Sequence, residues 1–180
     1  SLDICGSFVE EQDGTRFNTM IYLDQQGRLL TKYRKTHLFK PLHEHRFFHP
    51  GDSVTTVDTV FGKLGLAICY DLRFPELFRA MLAKGVKGFL ICAEWPVERI
   101  EHWQTILKAR AIENLSWIAA CNCTGKSGKV AFGGSSLFVS PWGDSLMQLE
   151  GESCQTIEFD PAVTDQVRLA NPFLDDRIPF

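Results

Sequence analysis

Lys63-Leu-Gly-Leu-Ala-Ile-Cys-Tyr70 is an apolar run that ends abruptly in the polar corner Asp71-Leu-Arg-Phe-Pro75. A short apolar run bounded by turn residues is typical of a buried strand. Pro75 suits the first turn of a helix, and residues 76–85 continue that helix to a glycine. The sequence therefore predicts a strand that turns sharply into a helix, with Cys69 at the corner.

The flanking sequence alternates strand and helix patterns in the same way. Residues 86–93 predict a second buried strand, and Glu98–Leu115 is a helix pattern with apolar residues at spacings of three and four. This alternation predicts an α/β fold with a layered sheet, but periodicity leaves open a doubly wound sheet or a two-sheet sandwich. The other predicted elements are a strand from Asp3 to Val9, a hairpin of Asn18–Leu23 and Arg28–Tyr33, strands at Trp117–Cys121, Ser135–Val139, Ser145–Leu149 and Thr156–Phe159, and a helix at Ala162–Leu169.

Composition narrows the class of protein. The 180 residues are 44% hydrophobic and 23% charged, as in one ordinary globular domain spanning residues 1–180. A net charge of −3 indicates neither nucleic acid nor an anionic membrane as a partner. Six scattered cysteines without a secretory signal favour reduced thiols and a cytoplasmic location.

Three side chains are candidates for chemistry before any resemblance is considered. A thiol at Cys69, beside a helix N-terminus, gains from the positive end of the helix dipole, although a buried strand cysteine is the alternative. Lys35 ends a predicted strand and is either a solvated surface group or a functional cation. Glu44 follows in a polar loop and could hold a lysine ammonium by a charge-assisted hydrogen bond.

Other polar and aromatic residues give weaker signals. Asp71 and Arg73 could form an ion pair that fixes the corner, an interpretation favoured over a direct role in substrate binding. Trp95 follows a predicted strand and is either a pocket wall or ordinary core packing. Histidines in the loop that follows Lys35 match no common zinc spacing, so no metal site is predicted; they are His37, His43, His45 and His49.

Taken together, these stretches resemble the carbon–nitrogen hydrolase (nitrilase) superfamily. The matching pieces keep their order and cover most of the chain, and the combination is far more specific than any one of them. They are Tyr33-Arg-Lys-Thr-His-Leu-Phe39, Glu44 before Pro50-Gly-Asp52, Gly65-Leu-Ala-Ile-Cys-Tyr-Asp-Leu-Arg-Phe-Pro-Glu76, Ala93-Glu-Trp-Pro96, His102-Trp103, Ala109-Arg-Ala-Ile-Glu-Asn114, Phe132-Gly-Gly-Ser-Ser136 and Pro141-Trp-Gly-Asp144.

The resemblance implies an α-β-β-α sandwich and a Glu-Lys-Cys site that uses no cofactor. Cys69 would attack an amide carbon to give a thioester, with release of ammonia. Lys35 and the backbone N–H of Tyr70 would stabilise the oxyanion, and Glu44 matches the auxiliary glutamate beside the lysine. Trp95 would help to shape the substrate site. The sequence after Cys69 is similar to the omega-amidase (Nit2-like) branch, which acts on small carboxylate-bearing amides.

One part of the family pattern has no match. The general base of the family is a glutamate well upstream of the lysine, whereas the acidic residues that precede the hairpin here do not occupy that position; these are Asp3, Glu10, Glu11 and Asp13, with residues 10–14 expected to form a turn. The chain is therefore expected to be the C-terminal portion of a longer enzyme, without the first strands and helices of the fold.

Two other functions are compatible with the sequence. A hydrolase of N-carbamoyl compounds belongs to the same superfamily, and a non-catalytic relative could keep the fold for binding. Retention of both Lys35 and Cys69 favours an enzyme, because a binding module needs no such pair. The resemblance also implies a homodimer formed through Glu98–Leu115 and Asn171–Phe180.

Overall fold

The computed structural model describes residues 2–178, which form two β-sheets and a layer of helices. The strands are β1 (Ile4–Gln12), β2 (Thr15–Leu23), β3 (Leu29–Arg34), β4 (Thr56–Thr59), β5 (Gly62–Ile68), β6 (Gly88–Ala93), β7 (Trp117–Asn122), β8 (Thr124–Ser127), β9 (Val130–Val139) and β10 (Ser145–Glu150). The α-helices are α1 (Pro75–Leu82), α2 (Ile100–Asn114) and α3 (Val163–Ala170).

The smaller sheet is an antiparallel meander in the order β1-β2-β3. Its first turn needs only Asp13 and Gly14, both with positive φ, so Glu10 and Glu11 lie on β1 rather than in the turn predicted for residues 10–14. Glu10 accepts hydrogen bonds from Thr19, Lys32 and Arg34. This carboxylate therefore ties all three strands together.

The larger sheet is mixed, in the order β10-β9-β7-β6-β5-β4, with β8 paired to β9. Strands β5, β6 and β7 are parallel, and α1 and α2 are the crossovers between them. Both helices contact one face of this sheet, while β1 and β2 of the smaller sheet lie against the other face. The structure thus resolves the open alternative in favour of a two-sheet sandwich.

The prediction of an α-β-β-α sandwich is met in part. The α/β class and the paired sheets are present, and residues 2–178 form three layers: helices, larger sheet and smaller sheet. Helix α3 packs against the N-terminal ends of β6 and β7. Its Arg168 donates hydrogen bonds there to the carbonyl oxygens of Val86 and Leu115, which precede these strands. None of the helices in the described part of the chain is long and apolar enough to cross a membrane.

The core between α1, α2 and the larger sheet is dense and aromatic. Phe78 packs edge-on against Phe89, with ring centroids 5.0 Å apart, and Trp103 is fully buried. Gly88 faces the Trp117 ring so closely that any Cβ would clash with it. The position therefore admits only glycine, because the Trp117 ring occupies the space of a side chain there.

Three details of the predicted elements are wrong. Residues 156–159 form no strand, because Ile157 and Phe159 insert their side chains among Trp117 and Phe138 without backbone pairing. The sequence also missed β4 and β8, which are four residues each and carry little apolar signal. The predicted strand through Tyr70 ends at Ile68, since Cys69 leaves the extended conformation.

Candidate active site

Cys69 sits on a strained turn between β5 and α1. Its φ is +49°, in the left-handed region that non-glycine residues rarely adopt, and a short 3₁₀ turn follows from Cys69 to Arg73. Such strain persists only where the surroundings hold it, and it is concentrated at functional sites. The turn lifts the sulfur out of the sheet in the same manner as the serine elbow of the α/β hydrolases.

Asp71 is the group that holds this turn. Its side chain is fully buried and its Oδ2 accepts hydrogen bonds from the Ile68 backbone N–H at 2.9 Å and the Tyr33 hydroxyl at 2.7 Å. Its Oδ1 accepts the His37 backbone N–H at 3.0 Å and lies 2.8 Å from His37 Nδ1. The predicted Asp71–Arg73 ion pair is therefore wrong, because the carboxylate faces inward to β3 and β5.

Lys35 and Glu44 form a buried ion pair. The Lys35 side chain is 3% exposed, and its Nζ donates to both carboxylate oxygens of Glu44, at 2.9 and 2.7 Å. The same carboxylate accepts the Asn18 side-chain amide at 3.2 Å and the Phe39 backbone N–H at 2.6 Å. Glu44 thus fixes the ammonium in one place. Asn18 was not predicted as a site residue, since a strand asparagine carries no sequence signal for this role.

A cavity of about 540 Å³ brings the three predicted chemical groups together. Lys35, Glu44 and Cys69 all line it, with Phe39 and Phe48 supplying apolar walls. Lys35 comes from the end of β3, Glu44 from a 3₁₀ turn in the loop after it, and Cys69 from the end of β5. The site therefore lies where the two sheets meet.

Tyr70 and Trp95 line a smaller recess of about 30 Å³ on the other side of Cys69. The Tyr70 ring contacts Phe39 and Phe74 edge-on, with centroids 4.9 and 5.1 Å away. Trp95 is buried, and Asn122 holds its backbone through a 2.6 Å hydrogen bond from the Trp95 N–H to Asn122 Oδ1. Trp95 therefore belongs to the core and to the pocket wall at once.

Burial raises the pKa of the Cys69 thiol, while the positive charge of Lys35 opposes that rise. The thiol Sγ lies 3.9 Å from the backbone carbonyl oxygen of Glu94. Among residues 2–178, no carboxylate lies within hydrogen-bond distance of this sulfur. A neutral thiol in this place needs a base before it can attack a substrate.

The histidines of the loop after β3 do not converge on one point. His37 stacks on Phe74, with ring centroids 3.9 Å apart, and faces Asp71. The rings of His43 and His45 contact each other instead, with centroids 6.2 Å apart. Within residues 2–178, no group of three or more His, Cys, Asp or Glu side chains is arranged to hold a metal ion.

The Carbon-nitrogen hydrolase family model matches residues 3–168. The 2-oxoglutaramate amidase of Bacillus subtilis is 40% identical over 178 residues, which are 96% of this chain and 67% of that protein. Omega-amidase NIT3 of Saccharomyces cerevisiae is 34% identical over 172 residues, which are 89% of this chain and 59% of that protein.

A solved structure gives the same match at the level of the fold. It is XC1258 from Xanthomonas campestris, described as a CN-hydrolase superfamily protein with an arsenic adduct in the active site. It aligns with a TM-score of 0.93 at 28% identity, over 99% of this chain and 70% of that one. The chain thus spans about 59–70% of the length of these three proteins.

Proposed function

Because this chain belongs to the carbon–nitrogen hydrolase family, we propose that it hydrolyses the C–N bond of a small carboxylate-bearing amide and releases ammonia. The observation that carries the proposal is the convergence of Cys69, on its strained corner, with the buried Lys35–Glu44 pair in one cavity. The amidase names of the Bacillus and Saccharomyces relatives support an amide as the substrate.

In the proposed reaction, the Cys69 sulfur attacks the amide carbon after its proton has passed to a base. The carbonyl oxygen becomes an oxyanion near the Lys35 ammonium and the backbone N–H of Tyr70, where positive charge is already in place. Collapse of this intermediate breaks the C–N bond, and the amine leaves as ammonia after it takes up a proton. Water then attacks the thioester, which frees the acid and restores the thiol.

Glu44 acts in this scheme as a positioning residue. Both of its oxygens are occupied by Lys35, Asn18 and the Phe39 N–H, so it orients the ammonium rather than taking the thiol proton. Since Cys69 has no carboxylate partner among residues 2–178, base activation limits the rate. General-base catalysis contributes about 10²–10⁴-fold, so turnover by this site is expected to be slow at neutral pH and to rise with pH.

The test is ammonia release from 2-oxoglutaramate, with Cys69→Ala as the inactive control. Mass spectrometry of acid-quenched protein would show a thioester adduct on the peptide that contains Cys69. An adduct and ammonia release that both disappear in Cys69→Ala would support the proposal. Release from an N-carbamoyl amine and not from 2-oxoglutaramate would favour the carbamoyl hydrolase. No adduct with either compound would favour a binding role.

We further propose a homodimer in a reducing compartment such as the cytoplasm. Exposed apolar side chains on α2, on α3 and after α3 support the assembly; they are Ile112, Leu169, Phe173 and Ile178. The predicted contact segment 171–180 includes Pro179 and Phe180, which lie outside the described residues. The six free cysteines support a reducing compartment. Sedimentation of the purified protein would report a monomer if the dimer proposal is wrong.

A further inference from the structure

Two arginines face the recess beside Cys69, and neither has a carboxylate partner among residues 2–178. Arg73 lies over the Trp95 ring at 4.9 Å, and its Nη2 is 3.3 Å from His102 Nδ1. Arg99 lies over the Phe39 ring at 5.5 Å, and its guanidinium makes no hydrogen bond within the described part of the chain. Both side chains are only partly exposed.

The other partly buried arginines are bonded differently. Arg34 binds Glu10, Arg79 binds the Glu113 carbonyl oxygen, Arg110 binds Glu113 and the Leu72 carbonyl oxygen, and Arg168 binds three backbone carbonyl oxygens. A guanidinium carries five N–H donors in a planar fork that matches a carboxylate. Among the arginines of residues 2–178, Arg99 therefore stands out as a partly buried guanidinium whose N–H donors have no hydrogen-bond partner there.

The position of Arg99 relative to the nucleophile suits a second functional group on the substrate. The cavity with Lys35 and the recess with Arg99 share Cys69, Glu94 and the wall residues Phe39 and Leu42. An amide carbon at Cys69 can thus direct its oxygen toward Lys35 while the rest of the molecule enters the recess. The recess is about 30 Å³, so a small terminal group fits there better than a bulky one.

We propose that Arg99 binds the carboxylate of the substrate in this recess and so selects amides that carry an acid group at the far end. Arg73, held by Trp95 and His102, supplies a second fixed positive charge. Glu94 is the acidic group of the recess, and its side chain is exposed to solvent, so two guanidinium charges face one carboxylate charge. The assignment rests on the proposed amidase function, because it presumes that the reacting group sits at Cys69.

The experiment compares two alkylating agents of nearly equal size on Cys69. Iodoacetate is an anion and iodoacetamide is neutral, and peptide mapping by mass spectrometry separates Cys69 from the exposed Cys121 and Cys154. The ratio of the two rate constants at Cys69 measures recognition of a carboxylate beside the sulfur. It requires no turnover, and the iodoacetamide rate reports whether the site remains intact.

Arg99→Gln is expected to lower the iodoacetate-to-iodoacetamide ratio about tenfold, as befits loss of one charge-assisted hydrogen-bonded contact. Arg46→Gln removes the same charge from a different cavity and serves as the matched control. Glu94→Gln is expected to raise the ratio. An unchanged ratio in Arg99→Gln would overturn the proposal, as would an equal fall in Arg46→Gln.

Arg99→Gln is expected to fold, because Arg99 contacts the core through its backbone. Its carbonyl oxygen accepts the Trp95 Nε1–H at 2.7 Å, and the substitution leaves this bond in place. Arg99→Lys keeps the charge without the fork and is expected to restore the ratio only in part. If the iodoacetate-to-iodoacetamide ratio falls in Arg99→Gln as expected but no ammonia is released, the amidase proposal is refuted and the Arg99 assignment stands. If ammonia is released but the ratio does not change in Arg99→Gln, the Arg99 assignment is refuted and the amidase proposal stands.

Discussion

The Tyr33 hydroxyl donates a 2.7 Å hydrogen bond to Asp71 Oδ2, although the two residues are 38 positions apart in the chain. Tyr33 is the penultimate residue of β3, two positions before Lys35, and Asp71 follows Cys69 by two. Both side chains are fully buried. Together with the bonds from Thr36 and His37 to Asp71 Oδ1, this contact fixes the spacing between the strand end that carries the lysine and the corner that carries the cysteine.

Replacement of Asp71 by Asn should destabilise the protein by about 2–3 kcal/mol, because a buried carboxylate that accepts several hydrogen bonds would become an amide with one acceptor. The midpoint of urea unfolding measures this loss. Asp58→Asn is the matched control, since the Asp58 side chain is 82% exposed and forms a surface ion pair with Lys63. Equal midpoints for Asp71→Asn and the wild type would contradict the role given to Asp71.

Replacement of Lys35 by Met should raise the pKa of Cys69 further. The Lys35 charge opposes the effect of burial on the thiol, so its removal favours the protonated form and moves the iodoacetamide rate profile to higher pH. Lys126→Met, on the exposed strand β8, should leave the profile in place. A profile that moves to lower pH in Lys35→Met would show that the ammonium does not act on the sulfur.

Lys35→Met should also reduce ammonia release about 10²–10³-fold, the usual effect of removing one oxyanion donor. The two ammonia rates are compared at one neutral pH after each is divided by the thiolate fraction taken from its iodoacetamide profile. A loss that vanishes after this correction would assign Lys35 to the thiol alone and not to the oxyanion.

Replacement of Glu44 by Gln should lower activity by about 10–100-fold, the range seen when a residue that orients a functional group is lost. The amide cannot accept both bonds of the buried Lys35 ammonium. Since the role is positional, the fall should appear in kcat with little change in KM. Glu98→Gln, which removes an exposed carboxylate beside α2, should have no such effect.

Glu10 should stabilise the smaller sheet in a pH-dependent way. Hydrogen bonds from Arg34 and Lys32 lower the pKa of this carboxyl below its ordinary value. A lowered folded-state pKa means that the stabilisation is complete above the unfolded pKa of about 4.3 and is lost as pH falls below it. The free energy of unfolding of the wild type should thus exceed that of Glu10→Gln by about 1 kcal/mol at pH 7. This is the upper end of the range for an exposed ion pair.

Thermal unfolding of the wild type and of Glu10→Gln at pH 7, 4 and 3 measures this difference in stability. The gap between wild type and variant should shrink at the lower values. Glu11→Gln is the control, because Glu11 pairs with Arg16 at the surface and both side chains are about 60% exposed. A gap that stays constant with pH would show that Glu10 acts through its shape and not its charge.

Sequence patterns predicted most of the elements around the site. The hairpin β2–β3, strands β5, β6, β7 and β9, and helices α1 and α2 all form near their predicted positions, and the resemblance to the carbon–nitrogen hydrolases is confirmed. These elements have strong apolar periodicity, which burial enforces locally. Residues 156–159 have an equally apolar pattern but no strand partner, so the same signal misled there.

The sequence by itself determined the class of the fold and the family, and it singled out the thiol and the lysine on which the proposed function depends, since each of these follows from local pattern and order along the chain. Only the tertiary structure decided the partners of the charged groups. Asp71 turned to Tyr33 and His37 rather than to Arg73, and Arg99 was left facing the recess. A buried charge is paired with donors that folding brings together from distant segments of the chain. The residues next to it in sequence therefore do not predict its partners.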